Sequence, residues 1–463
     1  MPTYQINGTI YRSAELDNGQ KALIVAGDSG GFEGQTISNN AELACALTPH
    51  NAAELRQRLA WLNPQPLGLA TSAGFGDRLG VATPGHVQAV QGTGIAPIFA
   101  QQSVRENTRT GRTPQQVLDD AMWGVFESGW RSAWGADADH QKNTADLDQF
   151  IAAGYTFFTI DPGDFVDNDA ETDDLETLRH KVAQLEWDIL ASDPTHLHAD
   201  YLKEWPSLNL NFDEYTLLKA AAKYGKAVVH TVKMARYLMA RLTAFDLEMS
   251  VDETDIPTSF AEHFYIVSEL KRLQIPVVSI APRFVGRFEK GVDFIGDLTE
   301  LDHNIAGHAA IQTHFGRTYK LSLHSGSDKF SVYPIAMRHT DGLVHLKTAG
   351  TSYLEALRIL AVQTPTAFRD LFEFACNRYE TDRKTYHVSA ELARLPKHVP
   401  DDELADLLDN FDARQILHVT FGSALHEYKE LIQSTLKQHE AEYHAGLKSH
   451  FEKHLQPFVV SKG

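Results

Sequence analysis

Short apolar runs recur eight times between residues 67 and 348, each closing in small or polar residues, and they restrict the fold more than any other feature of the chain. They read LGLATSA (67–73), IAPIFAQ (95–101), WRSAWGA (130–136), YTFFTID (155–161), FDLEMSV (245–251), IPVVSIAP (275–282), YKLSLHS (319–325) and GLVHLKT (342–348). Helical patterns follow most of them, among them DEYTLLKAAAKYG, PTSFAEHFYIVSELKRLQ with Pro257 near its start, and DLTELDHNIAGHAAIQTHFG with Gly316 near its end. Eight strands alternating with helices are what an α/β (β/α)8 TIM-like barrel produces. An open doubly wound sheet is the competitor. No GxGxxG or GxxxxGK[ST] follows the first strand, and the Gly-rich GFGDRLG at 74–80 has neither spacing, which disfavours a nucleotide fold.

The barrel is expected over residues 67–350. Residues 1–66 form an N-terminal strand-rich segment, with Asn7-Gly8 and Asn18-Gly19 as turn signals. An acidic helical insertion is expected at 162–213, with a helix over 174–191. The carboxylates ahead of that helix read as a solvated cap, a metal site being the alternative. From 351 to 463 the chain reads as a C-terminal helical extension, a natural interface for a homo-oligomer.

A net charge of -19 argues against a non-specific nucleic-acid surface, and an anionic ligand would need a local basic pocket. The two cysteines, Cys45 and Cys376, have no metal-ligand spacing and suggest a reduced compartment. With no spanning apolar run and no signal-peptide pattern at the N-terminus, the expectation is a cytoplasmic protein without a membrane partner.

Chemistry enters through side-chain parity, because alternate residues of a barrel strand point inward and catalytic groups gather at the strands' C-terminal ends. In YKLSLHS the apolar face is Leu321 and Leu323, which leaves Lys320, Ser322 and His324 inside. In GLVHLKT the inner residues are His345 and Lys347, and in FDLEMSV they are Asp246, Glu248 and Ser250. So many ionisable groups in one interior require mutual pairing, a metal or a ligand.

The third run ends in GADADHQK, which places Asp137, Asp139, His140 and Lys142 in one short loop. His140, His324 and His345 then supply three imidazoles from three strand ends, a ligand set for one divalent metal ion such as zinc, manganese, nickel or iron. Taken singly, each could equally be a surface or hydrogen-bonded core histidine. EMSVDETD adds Glu248, Asp252, Glu253 and Asp255 as acid or base candidates, and parity does not separate Glu253 from Asp252. Asp161 shares the inner parity of Thr159, with a turn role beside Pro162-Gly163 as its plainer explanation. Lys142, Arg283, Lys329 and Lys347 are the cations available to an anionic substrate, or partners for neighbouring carboxylates.

ADADHQK, SVDETD with the PTSFAEHF that follows it, and HSGSDKFSVYP resemble the tagaturonate epimerase family, which interconverts D-tagaturonate and D-fructuronate in hexuronate catabolism. The resemblance implies a metal-dependent sugar-acid epimerase on a TIM-like barrel. The two sugars differ at C4 while the ketone is at C2, so only the C3 proton is acidified and direct deprotonation at C4 is unattractive. A retro-aldol route avoids this problem. On that reading His140, His324 and His345 hold the metal, Asp139 and Glu253 are the acid/base pair, Asp328 contacts substrate, and Lys329 or Arg283 takes the C6 carboxylate. A metal-dependent aldolase or ketose isomerase would use similar groups, and a non-catalytic sugar-binding protein is the alternative from a different class.

Overall fold

The structure, a computed structural model, describes residues 2–37, 42–205, 208 and 210–459. Parts of the predicted N-terminal segment (1 and 38–41), insertion (206, 207 and 209) and C-terminal extension (460–463) lie outside the described residues.

Eight parallel strands close into a barrel: β1 (Ser72–Phe75), β2 (Ala96–Ser103), β3 (Gly135–Gln141), β4 (Phe157–Ile160), β5 (Asp246–Ser250), β6 (Val277–Ala281), β7 (Lys320–Leu323) and β8 (Val344–Thr348). Each pairs with the next, and β8 pairs back onto β1 through His345 and Ser72. All eight predicted runs contribute a strand, so the barrel expectation holds. One start differs in a way that matters. The third run reaches β3 only at Gly135, so Asp137, Asp139 and His140 lie on the strand itself and not in the loop expected from their polarity. Polar residues are tolerated there because Lys347 and Thr159 meet the inward carboxylates inside the barrel.

Leu247, Met249, Leu321, Leu323, Val344 and Leu346 are all buried in the hydrophobic core. Their alternate neighbours Asp246, Glu248, Lys320, Ser322, His345 and Lys347 fill the barrel interior, which gives this barrel a polar centre inside an apolar shell.

Helix ends follow ordinary capping chemistry. Ser259 and Glu262 form a reciprocal capping box at the start of Phe260–Arg272, and the Asp297 carboxylate caps Leu298–His314. In the insertion, the Asp174 carboxylate accepts from the Thr177 N–H at 2.8 Å, which is the cap expected of that acidic run. The single helix expected there is two, Leu175–Ala183 and Trp187–Leu190, because Glu186 leaves the helical region at φ -75, ψ 74.

Five antiparallel strands between Thr3 and Ala46 form a separate sheet at the N-terminus. The C-terminal helices pack onto the barrel. Gly85, in helix Thr83–Val90, lets helix Glu440–Leu455 approach so closely that an added Cβ would lie 2.7 Å from Leu447 Cβ. Among the described residues no helix is long and apolar enough to cross a membrane.

Candidate active site

Interior side chains fall into levels along the barrel axis. At the lowest, the Asp246 carboxylate accepts from the backbone N–H groups of Leu67 and Gly68, at 2.6 and 3.0 Å. Just above it, Ser72 Oγ receives Lys320 Nζ at 2.8 Å and meets His345 Nδ1 at 2.9 Å. Lys347 dominates the middle, its ammonium 2.6 Å from Asp139, 2.9 Å from Asp137 and 3.0 Å from Glu248. The mouth holds Asp139, His140, Asp252 and His324, which line one cavity together with Arg105, Glu253 and Lys290.

A local irregularity brings two consecutive residues of β3 to this mouth. Ala138 is opposite Phe158 and Gln141 is opposite Ile160, so Asp139 and His140 share the space facing one β4 residue. His140 adopts φ +53, left-handed for a non-glycine residue. Strict alternation would have turned His140 away from its neighbour, and the bulge re-aims it into the cavity.

His140 Nδ1 is 2.8 Å from Asp139 Oδ1, and Nε2 is buried with no hydrogen-bond partner. His324 Nε2 is 2.6 Å from Glu248 Oε1, and its Nδ1 lies 3.1 Å from Asp252 Oδ1. Asp252 Oδ1 is also 3.6 Å from His140 Nε2. One ligand atom from each of His140, Asp252 and His324 therefore falls within 4.8 Å of the others. Two imidazoles and a carboxylate, each imidazole backed by a second carboxylate, fit a catalytic divalent ion, because such partners fix the ring's orientation and raise its basicity.

Electrostatics support a charged cluster held in place. Burial alone would raise the Glu248 carboxyl, but the Lys347 ammonium and His324 hold it well below the usual carboxylate range. Asp139 is depressed in the same way, against its burial, by Lys347 and His140. Asp137 goes the other way, its burial outweighing Lys347, and is pushed up to about 7.

Of the remaining sequence candidates, Asp161 and Glu253 each bring a carboxylate oxygen to within 4.8 Å of a His140 ring nitrogen and of each other, while the others are dispersed. His345 sits two residues before Lys347, about 7 Å lower on its strand, against Ser72 and the Phe157 ring 5.0 Å away. Burial pushes that imidazole well below its usual range. Glu253 is exposed at the cavity rim, with Arg105 at 3.7 Å. Lys142 pairs with Asp164 at 2.9 Å and lies 3.7 Å from Asp161, whose carboxylate also caps the Gly163 N–H. Arg283 lines an adjoining cavity with Phe284 and Arg287.

Asp328 and Lys329 lie outside the lining of the cavity. Lys329 Nζ donates to three backbone carbonyls, those of Glu289, Val292 and Ser327. Asp328 accepts from Arg414 at 3.0 Å while its own N–H donates to His454. Asp328 thus ties the loop after β7 to the C-terminal helices, and Lys329 ties it to the loop after β6. Asp328, His450 and His454 also group closely enough to hold an ion, but Arg414 already supplies the positive charge there.

Lys290, Arg105, Tyr386 and His418 line the cavity without having been anticipated. Tyr386 and His418 come from the C-terminal extension and Lys290 from the long loop after β6, where strand parity has nothing to say. Asp252 was legible as half of an unresolved choice with Glu253.

A model of the tagaturonate epimerase family matches residues 5–458. This chain belongs to that family. Membership makes it an epimerase-type enzyme, in the isomerase class. A tagaturonate/fructuronate epimerase of Thermotoga maritima is 42% identical over 448 residues, covering 94% of this chain and 91% of the relative. Two crystal structures of the fructuronate-tagaturonate epimerase of Cohnella laeviribosi, one with glycerol and one native, superpose with TM-scores of 0.93 and 0.92 at 35% identity. Each covers 99% of this chain and 96% of the other.

Proposed function

We propose that this chain interconverts D-tagaturonate and D-fructuronate at C4 with the help of one divalent ion, by breaking and remaking the C3–C4 bond. Family membership supports the substrate pair, and the buried, unpartnered Nε2 of His140 facing Asp252 and His324 is the observation that carries the metal dependence. On this reading the ligands are His140, Asp252 and His324. Zinc, manganese, nickel and iron all suit such a set.

A bound ion would supply Lewis-acid stabilisation of negative charge on the substrate oxygens beside the breaking bond. The protein does the rest. Asp139 uses Oδ1 for both His140 and Lys347, which leaves Oδ2 without a protein partner among the described residues and able to take the O4 proton. As O4–H is lost and C4 becomes an aldehyde, the C3–C4 electron pair moves into the three-carbon fragment as an enediolate. Lys347, fixed by its three carboxylates and Thr159, adds preorganised positive charge under the reacting carbons. Rotation of the aldehyde presents its other face, and the bond re-forms with the proton returned to O4. Glu253, which lines the same cavity, serves the opposite epimer.

Fructuronate incubated in deuterated water with the enzyme and each metal, followed by NMR, tests the reading. Tagaturonate should appear with hydrogen retained at C4. No tagaturonate with any metal would refute the substrate assignment, and deuterium at C4 would refute the bond-breaking route.

A further inference from the structure

Several cations around the barrel mouth are already engaged by the protein. Lys347 faces three carboxylates, Arg78 is held by Glu106 at 3.0 Å, Arg414 by Asp328, and Lys329 by three carbonyls. Lys290 is not: among the described residues its ammonium forms no ion pair, and its hydrogen bond is to Ser325 Oγ at 2.6 Å. Ser325 follows His324 directly and has φ +49, so the strained turn at the end of β7 aims both the imidazole and the lysine's anchor. Arg105, in the first turn of helix Val104–Thr110, lines the same cavity with its guanidinium over the Tyr386 ring. Its one carboxylate neighbour, Glu253, is at 3.7 Å and outside hydrogen-bonding range.

An unpaired, half-buried ammonium is costly unless a ligand completes it. Burial first, and then Arg105, push Lys290 below its usual range, the strain that an incoming anion would relieve. The same cavity also carries the carboxylates of Asp139 and Asp252, so it offers a substrate groups of both charges.

We infer that Lys290, flanked by Arg105, receives the substrate's terminal carboxylate and makes the site selective for sugar acids over neutral ketoses. The assignment rests on the epimerase reading above. It differs from the Lys329 or Arg283 contact expected from the sequence. A carboxylate on C6 is two carbons beyond C4, which suits a cation in the same cavity as His140 and Asp139; Lys290 and Arg105 line both that cavity and the adjoining one, whereas Arg283 lines only the adjoining one.

The test compares two open-chain inhibitors of fructuronate turnover, D-gluconate, which carries a terminal carboxylate, and D-glucitol, which does not. Lys290→Met should weaken gluconate inhibition by about tenfold or more, the worth of a charge-assisted hydrogen bond, and should raise the fructuronate KM more than it lowers kcat. Glucitol inhibition should stay within about twofold, well under that charge-assisted bond, and Lys290→Arg should retain the preference for gluconate. If Lys290→Met does not fold by circular dichroism, Arg105→Leu carries the same comparison. Equal weakening of both inhibitors, or an unchanged preference for gluconate, overturns the inference alone provided the wild type is active. A wild type inert toward fructuronate with every metal overturns the epimerase reading and this inference with it.

Discussion

Lys347→Met removes the one ammonium that faces Asp137, Asp139 and Glu248 at 2.6 to 3.0 Å in the barrel interior. Asp137 and Glu248 are fully buried and cannot recover the lost partner from water, whereas Asp139 opens onto the cavity. Breaking a buried pair by removing one member costs about 3–5 kcal/mol, and three carboxylates sharing the lysine place this substitution at the upper end. The pH dependence gives a second, independent signature. Burial has already raised Asp137 to about 7 in spite of Lys347. A carboxyl raised in the folded state favours folding most below its unfolded pKa, and the advantage falls away as pH rises through the folded value. For the wild type that decline is complete slightly above pH 7. Without Lys347 the folded value moves higher, so the variant should keep losing stability between pH 7 and 9, by up to about 1.4 kcal/mol per pH unit for each such carboxyl. Urea denaturation of both proteins at pH 6, 7.5 and 9, under the same metal load, measures this. A loss under about 1 kcal/mol at pH 9, with parallel pH curves, would show that Lys347 does not hold the three carboxylates.

Metal content separates the proposed ligand set from the one expected from the sequence: His324→Ala and Asp252→Asn should lose the bound ion on dialysis, whereas His345→Gln should retain it at wild-type stoichiometry by elemental analysis. Loss of metal in His345→Gln would restore the set expected from the sequence. At the seam between barrel and C-terminal extension, Gly85→Ala should cost about 1–3 kcal/mol by overpacking against Leu447. A denaturation midpoint equal to the wild type's would mean that the helix carrying His450 and His454 docks more loosely than the close approach implies.

Strand-level features were legible because they are local. The apolar runs marked all eight barrel strands, and parity correctly separated Leu321 and Leu323 from Lys320, Ser322 and His324. Height along the barrel axis was not legible, since parity says which way a residue points and not how deep it sits. His345 and Lys347 share an inward face but occupy different levels, with different partners. The bulge at Asp139 and His140 was invisible for another reason: a register shift depends on the neighbouring strand as much as on its own sequence. Lys290 and Tyr386 reach the cavity from loops and from the C-terminal extension, through tertiary packing that no periodicity encodes. Asp328 and Lys329, conspicuous in the sequence, proved to be partners of Arg414 and of backbone carbonyls.

The left-handed backbone of His140 also bears on how such a chain drifts. At φ +53 glycine or asparagine would sit more comfortably than histidine, so the fold itself exerts a steady pressure to discard the imidazole. A gene copy released from its reaction would gain stability by yielding at this position, while residues such as Leu323 or Met249 would stay in place because packing still demands them. The residue found there is therefore a record of whether a lineage still uses the site, independent of how well its barrel is preserved.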